Sequence, residues 1–276
     1  MSETALAQST IERVIQRDRL VVGLSVLAII LLSWTHLLRM AAAMGSSVSQ
    51  MSMPDMPGMS GMAMPDPQTW GVADLVSLFL MWAVMMVAMM LPSAAPMILL
   101  VVGVYRRRTG RGARVLTGAF VLGYLAAWTA FSAAAAMLQL VLHRAAILSG
   151  TMAVRSTMVG AAILLVAGIY QWLPIKNACL SHCRSPLAFL TREWREGLSG
   201  AFVMGLRNGL FCVGCCWALM ALLFAAGVMN LTWVAAIAVF VLVEKLVRQA
   251  LWFSRVSGSL LFAWGTYVLL ATLGVK

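Results

Sequence analysis

Sulfur carries most of the chemical potential of this chain. Its 276 residues include 21 Met and five Cys. The Cys fall into two groups: Cys179 and Cys183 with His182 between them in CLSHCRSP, and Cys212, Cys215 and Cys216 in FCVGCCWALM. Thiolate, thioether and imidazole are soft or borderline ligands, and the two sulfur types select Cu(I) over hard cations. Cys179 and Cys183 with His182 have the residue types and spacing of a metal clip. Met81, Met85 and Met89 follow an i, i+4, i+8 pattern, and Met86 and Met90 also lie four apart. That spacing stacks side chains along one helix face. Met85, Met86, Met89 and Met90 therefore join the Cys and His as candidate ligands. A further Met concentration lies in MGSSVSQMSMPDMPGMSGMAMPDPQ, residues 44–68. Pro, Gly and Ser keep such a stretch from regular structure. With no core to pack there, Met51, Met53, Met56, Met59, Met62 and Met64 fit metal recruitment better than packing. For helical Met and Cys the plainer alternative is filler, since both pack well in apolar cores.

The elements that must position these ligands follow from composition. The chain is 62% hydrophobic and 11% charged, with a mean hydropathy of +0.92. Soluble domains run about half apolar and a quarter charged. Long Leu/Ala/Val/Met/Gly runs, without period-2 alternation, leave helices as the structure able to cross lipid. The fold expected is an all-α, polytopic transmembrane helix bundle of about seven spans. These are placed at 20–38, 70–91, 115–142, 157–173, from between Ala201 and Asn208 to 228, 232–247 and 256–273. Pro92 and Pro96 are expected to end or kink the second. Residues 174–197 read as a polar connection. The organisation is then a cytoplasmic segment 1–19, a signal-anchor helix 20–40, a Met-rich extracytoplasmic loop 41–69 and a six-helix membrane domain 70–276.

The formal net charge of +11 reflects orientation rather than nucleic-acid binding. With the N-terminus inside, fifteen Lys and Arg fall in inner segments and four in outer ones, as the positive-inside rule requires. A bacterial cytoplasmic (inner) membrane is the expected location. This topology puts the Met-rich loop outside and all five Cys towards the reducing cytoplasm, as thiols. Met89 and Met90 should end near the depth of the Cys212 group. Asp74, Arg207, Asn208 and Glu244 sit at or near span ends, where charge needs partners or water. Arg207 and Glu244 share the inner side and could pair, or could each reach the interface separately.

Four blocks carry a resemblance: MWAVMMVAMMLPSAAP, YQWLPIKNACLSHCRSPLAFL, GLRNGLFCVGCCWALM, and VMNLTW followed by EKL. Over residues 70–273 the chain resembles the bacterial family of predicted metal-binding integral membrane proteins. One branch of that family is linked to copper delivery for a tyrosinase. The resemblance implies metal binding, with copper as the metal. The leading expectation is a membrane protein that handles Cu(I), for delivery to a cuproenzyme or for movement across the bilayer. Its partners would be lipid, the metal ion and a cuproenzyme or other copper-handling protein, with no nucleic acid. Two alternatives are a membrane thiol-disulfide oxidoreductase and a non-catalytic subunit of a membrane oxidase. No P-loop or Ser/His/Asp pattern points to an enzyme. No nucleotide, flavin or haem is expected, and His36 and His143 lie outside whereas His182 lies inside.

Overall fold

A computed structural model describes residues 3–51, 71–145, 156–228, 230–247 and 249–274. Among them the regular structure is entirely helical: α1 (Glu3–Met51), α2 (Val72–Thr109), α3 (Ala113–Arg144), α4 (Thr157–Trp172), α5 (Pro174–Arg184), α6 (Pro186–Glu193), α7 (Gly197–Ala226), α8 (Leu231–Leu246) and α9 (Ala250–Thr272). A 3-10 turn at Gly110–Gly112 joins α2 to α3. The closest pairings are α3 with α7, α4 with α9, α2 with α3 and α1 with α2.

Four helices are long and apolar enough to cross a membrane: Val14–Ala43 within α1, then α2, α3 and α7. The α4–α5 pair, bent by 66°, supplies a fifth if it acts as one broken span. α8, with 16 residues, is about 24 Å long, against a hydrocarbon core of about 30 Å. The structure thus supports a bundle with four or five such spans where the sequence suggests seven.

Several boundaries differ from expectation for identifiable reasons. α1 runs on to Met51, into the stretch read as irregular, because the first proline there is Pro54. Met53, Met56, Met59, Met62 and Met64 lie outside the described residues. α2 does not end at Pro92 or Pro96 but continues to Thr109. Proline at 92 cannot donate to the Ala88 carbonyl four residues back. The Trp34 indole N–H of α1 donates to that carbonyl instead, at 3.2 Å, which replaces the hydrogen bond lost at Pro92. Residues 174–193 are two short helices rather than a plain connection, each started by a proline at its first turn, where the missing N–H costs nothing. α7 begins at Gly197, before the expected range, where a φ of 77° reverses the chain.

Ion pairs tie one end of the bundle. Asp18 of α1 meets Arg106 of α2 at 3.2 Å and Arg114 of α3 at 2.8 Å. The Arg108 guanidinium lies 4.5 Å above the Trp194 ring, and Arg184 donates to the Val247 carbonyl. Four of the basic segments assigned to the inner side therefore share one end. Of the two readings of Arg207 and Glu244, the mutual pair does not form. Arg207 pairs with Glu193, and Glu244 is buried against Lys176 at 2.5 Å. α7 and α8 turn these side chains towards different neighbours, which linear order does not reveal.

Candidate metal centre

The site is assembled where α2, α3, α5, α7 and α8 meet. On α7, Cys212, Cys215 and Cys216 follow an i, i+3, i+4 pattern that puts all three on one face, and each is about 1% exposed. The Cys215 Sγ lies 3.1 Å from the Cys216 Sγ, and its thiol donates to the Cys212 carbonyl at 3.1 Å. From α5, which packs against α7, Cys183 lies on the side of these thiols. Cys212, Cys215 and Cys216 thus give α7 a sulfur-lined face with Cys183 of α5 beside it, and among the described residues all five Cys are free. The inner three are sealed, whereas Cys183 is half-buried and forms the rim.

The remaining sequence candidates are placed around this cluster. Cys179 is one turn before Cys183 on α5 and packs on Gly214 of α7; a Cβ built there would lie 2.9 Å from its Sγ. His182 is turned away from the thiols. Its ring stacks on Phe211 with centroids 4.2 Å apart, and its Nδ1 sits 2.8 Å from the Ala178 carbonyl. A carbonyl can only accept, so this contact is a hydrogen bond in the tautomer that carries its proton on Nδ1. His182 lines a small surface cavity with Ser181, Ser185 and Arg192, so within the Cys179–His182–Cys183 group the ring and the thiols have different neighbours. Met85, Met86, Met89 and Met90 are all buried on α2. Met90 is the one tied to the cluster's level: the Tyr124 hydroxyl of α3 donates to its carbonyl at 3.2 Å and lies 3.2 Å from the Cys212 Sγ.

Sequence reading missed two residues at the site. Tyr124 is an ordinary aromatic in an apolar run until α3 meets α7. In the linear sequence Lys245 is one of the fifteen inner basic residues, yet its Nζ lies 2.9 Å from the Cys212 Sγ and 2.8 Å from the Ser93 Oγ. No local signal marks either residue, since their partners are 88 and 33 positions away.

The arrangement can bind a soft cation once thiols deprotonate. Among the described residues no three His, Cys, Asp or Glu side chains form a ready-made metal cage. Cys215 and Cys216 are in direct sulfur contact, an arrangement that can take up a soft ion by ligand exchange. A family model for PpoB2, described as a copper chaperone, matches residues 79–268. The chain belongs to this copper-chaperone family. Copper handling follows from that membership, and every residue of the sulfur cluster lies within the matched segment. The recognised segment of the copper chaperone starts inside α2 and ends inside α9, leaving out α1 and the Met-rich stretch before Gly71. No curated protein and no solved structure matches the chain.

Proposed function

We propose that this copper chaperone is a multi-pass protein of the bacterial inner membrane that holds Cu(I) on Cys183, Cys212, Cys215 and Cys216 and passes it to a cuproenzyme or across the bilayer. The observation that carries the reading is the set of three buried thiols on one face of α7, with Cys183 of the adjacent α5 beside them, in a copper-chaperone chain. Thiolate ligands favour Cu(I) over Cu(II) and over hard ions. Membrane insertion is supported by the apolar outer surface. Leu24, Leu32, Leu122 and Val141 of α1 and α3 all point outwards, and large exposed apolar areas call for a lipid or protein cover. Met85, Met86, Met89 and Met90 give copper a thioether approach along α2. Cys179, His182 and the outer residues Met51, Met53, Met56, Met59, Met62 and Met64 serve capture at the two surfaces. The N-terminus faces the cytoplasm, with about seven spans if α4, α8 and α9 also cross.

Anaerobic Cu(I) titration of the purified full-length protein against a chromogenic Cu(I) chelator tests the site. The variant with Cys212, Cys215 and Cys216 all changed to Ser should lose its tightest Cu(I). Affinity should fall by more than about a hundredfold, since even outer partners of a metal site commonly account for 10–100-fold. Unchanged stoichiometry and affinity would exclude the cluster as the copper site.

A further inference from the structure

Lys245 is an unusual neighbour for a metal site, because its positive charge should repel an incoming cation. It reaches the cluster from the last turn of α8, with its Nζ at 2.9 Å from the Cys212 Sγ and 2.8 Å from the Ser93 Oγ. The Ser93 hydroxyl donates to the Met90 carbonyl at 2.8 Å, so it can only accept from the ammonium. The adjacent acid, Glu244, faces the other way, onto Lys176. Among the ion pairs of the described residues none includes Lys245. Its charge is therefore directed at sulfur, not at a carboxylate.

We infer that Lys245 sets the charge preference of the thiol site, making it favour a monovalent soft cation over a divalent one. This rests on the reading of the cluster as the copper ligands. Each thiolate contributes one negative charge. For any given set of thiolates, the complex with Cu(I) or Ag(I) is one unit more negative than the complex with Cd(II). A fixed ammonium in contact with one of those sulfurs therefore stabilises the monovalent complex more, whatever the number of thiolates. The sealed environment of Cys212, Cys215 and Cys216 keeps that difference from being screened as it would be in water. Lys245 itself is half-buried, which reduces the effect without removing it. The site thus combines two filters: sulfur rejects hard ions, and the lysine rejects soft divalent ones.

The test uses the purified full-length protein in detergent, with Ag(I) and Cd(II) each as the metal alone. Lys245→Met removes the charge at similar length and should shift the Ag(I)-to-Cd(II) affinity ratio towards Cd(II) by on the order of tenfold or more. Lys245→Arg keeps the charge and should restore most of the ratio. Lys245→Gln serves as a second neutral variant should Lys245→Met not fold, judged by circular dichroism and gel filtration. An equal loss of both metals, an unchanged ratio, or an arginine variant that behaves like the neutral ones overturns the inference alone. If the triple Cys-to-Ser variant still binds Ag(I) as the parent does, the thiol-site reading falls, and this inference with it.

Discussion

Gly205→Ala should separate α7 from α3 and disable copper binding together with stability. A Cβ at Gly205 would lie 1.9 Å from the Phe120 carbonyl oxygen of α3, and a Cβ at Gly123 would lie 2.0 Å from the Phe202 oxygen of α7. At Gly209 an added Cβ would come within 2.7 Å of the Ala127 Cβ. Gly205 and Gly209 of α7, four apart, and Gly123 and Ala127 of α3, also four apart, thus line the small-residue crossing that lets helix backbones touch. The obstacles are backbone atoms, which cannot rotate aside. Overpacking of well-filled interiors costs about 1–3 kcal/mol, and this site belongs at or above the upper end. Function should suffer too, because the same seam holds the Tyr124 hydroxyl 3.2 Å from Cys212. Thermal unfolding in detergent and Cu(I) titration should both report the loss. Gly118→Ala on α3 is the control, since its Cβ would meet nothing within 4 Å. That change should be neutral or stabilising by about 0.5–1 kcal/mol through helix propensity. A Gly205→Ala protein that melts with the parent would disprove the backbone-contact account.

The second large effect is expected at the Lys176–Glu244 pair. Both side chains are fully buried. Lys176 donates to Gln171 of α4 as well as to Glu244 of α8, and Ser254 of α9 donates to Glu244. Four helices are joined through two charges. Removing one partner leaves the other as an uncompensated buried ion, so Lys176→Met or Glu244→Gln should each destabilise by about 3–5 kcal/mol. The double variant Lys176→Met with Glu244→Leu should recover much of that, because apolar replacement of a whole buried pair is often neutral. A double-mutant cycle on unfolding free energy measures this directly. Additive losses would show that the pair is not coupled. Copper affinity should fall in the single variants as well. Lys176 shares α5 with Cys183, and Glu244 precedes Lys245 on α8, so the pair sets how both reach the sulfur cluster.

These outcomes depend unequally on what the linear chain shows. α3, α4, α8 and the core of α9 are legible because each is an apolar run closed by Pro, Gly or charged residues. α5 and α6 are not, because short helices of mixed polarity carry too few apolar residues to stand out from a connection. The continuity of α2 through Pro92 and Pro96 is also invisible locally, since the donor that makes it tolerable is Trp34, 54 residues earlier. Cys212, Cys215 and Cys216 are legible as a set because helical spacing alone puts them on one face. That Cys183 joins them while His182 turns to Phe211 depends on how α5 is rotated against α7.

Composition and periodicity by themselves determined that this chain is helical, strongly apolar and rich in soft ligands. Those properties are sums over residues or repeats along one helix, so they need no knowledge of neighbours. The tertiary structure alone decided which ligands meet, that Glu244 pairs with Lys176 rather than Arg207, and that a lysine rather than another ligand faces Cys212. Coulomb and hydrogen-bond partners are chosen by distance in space, and the close approach at Gly123 and Gly205 is what sets those distances around the sulfur.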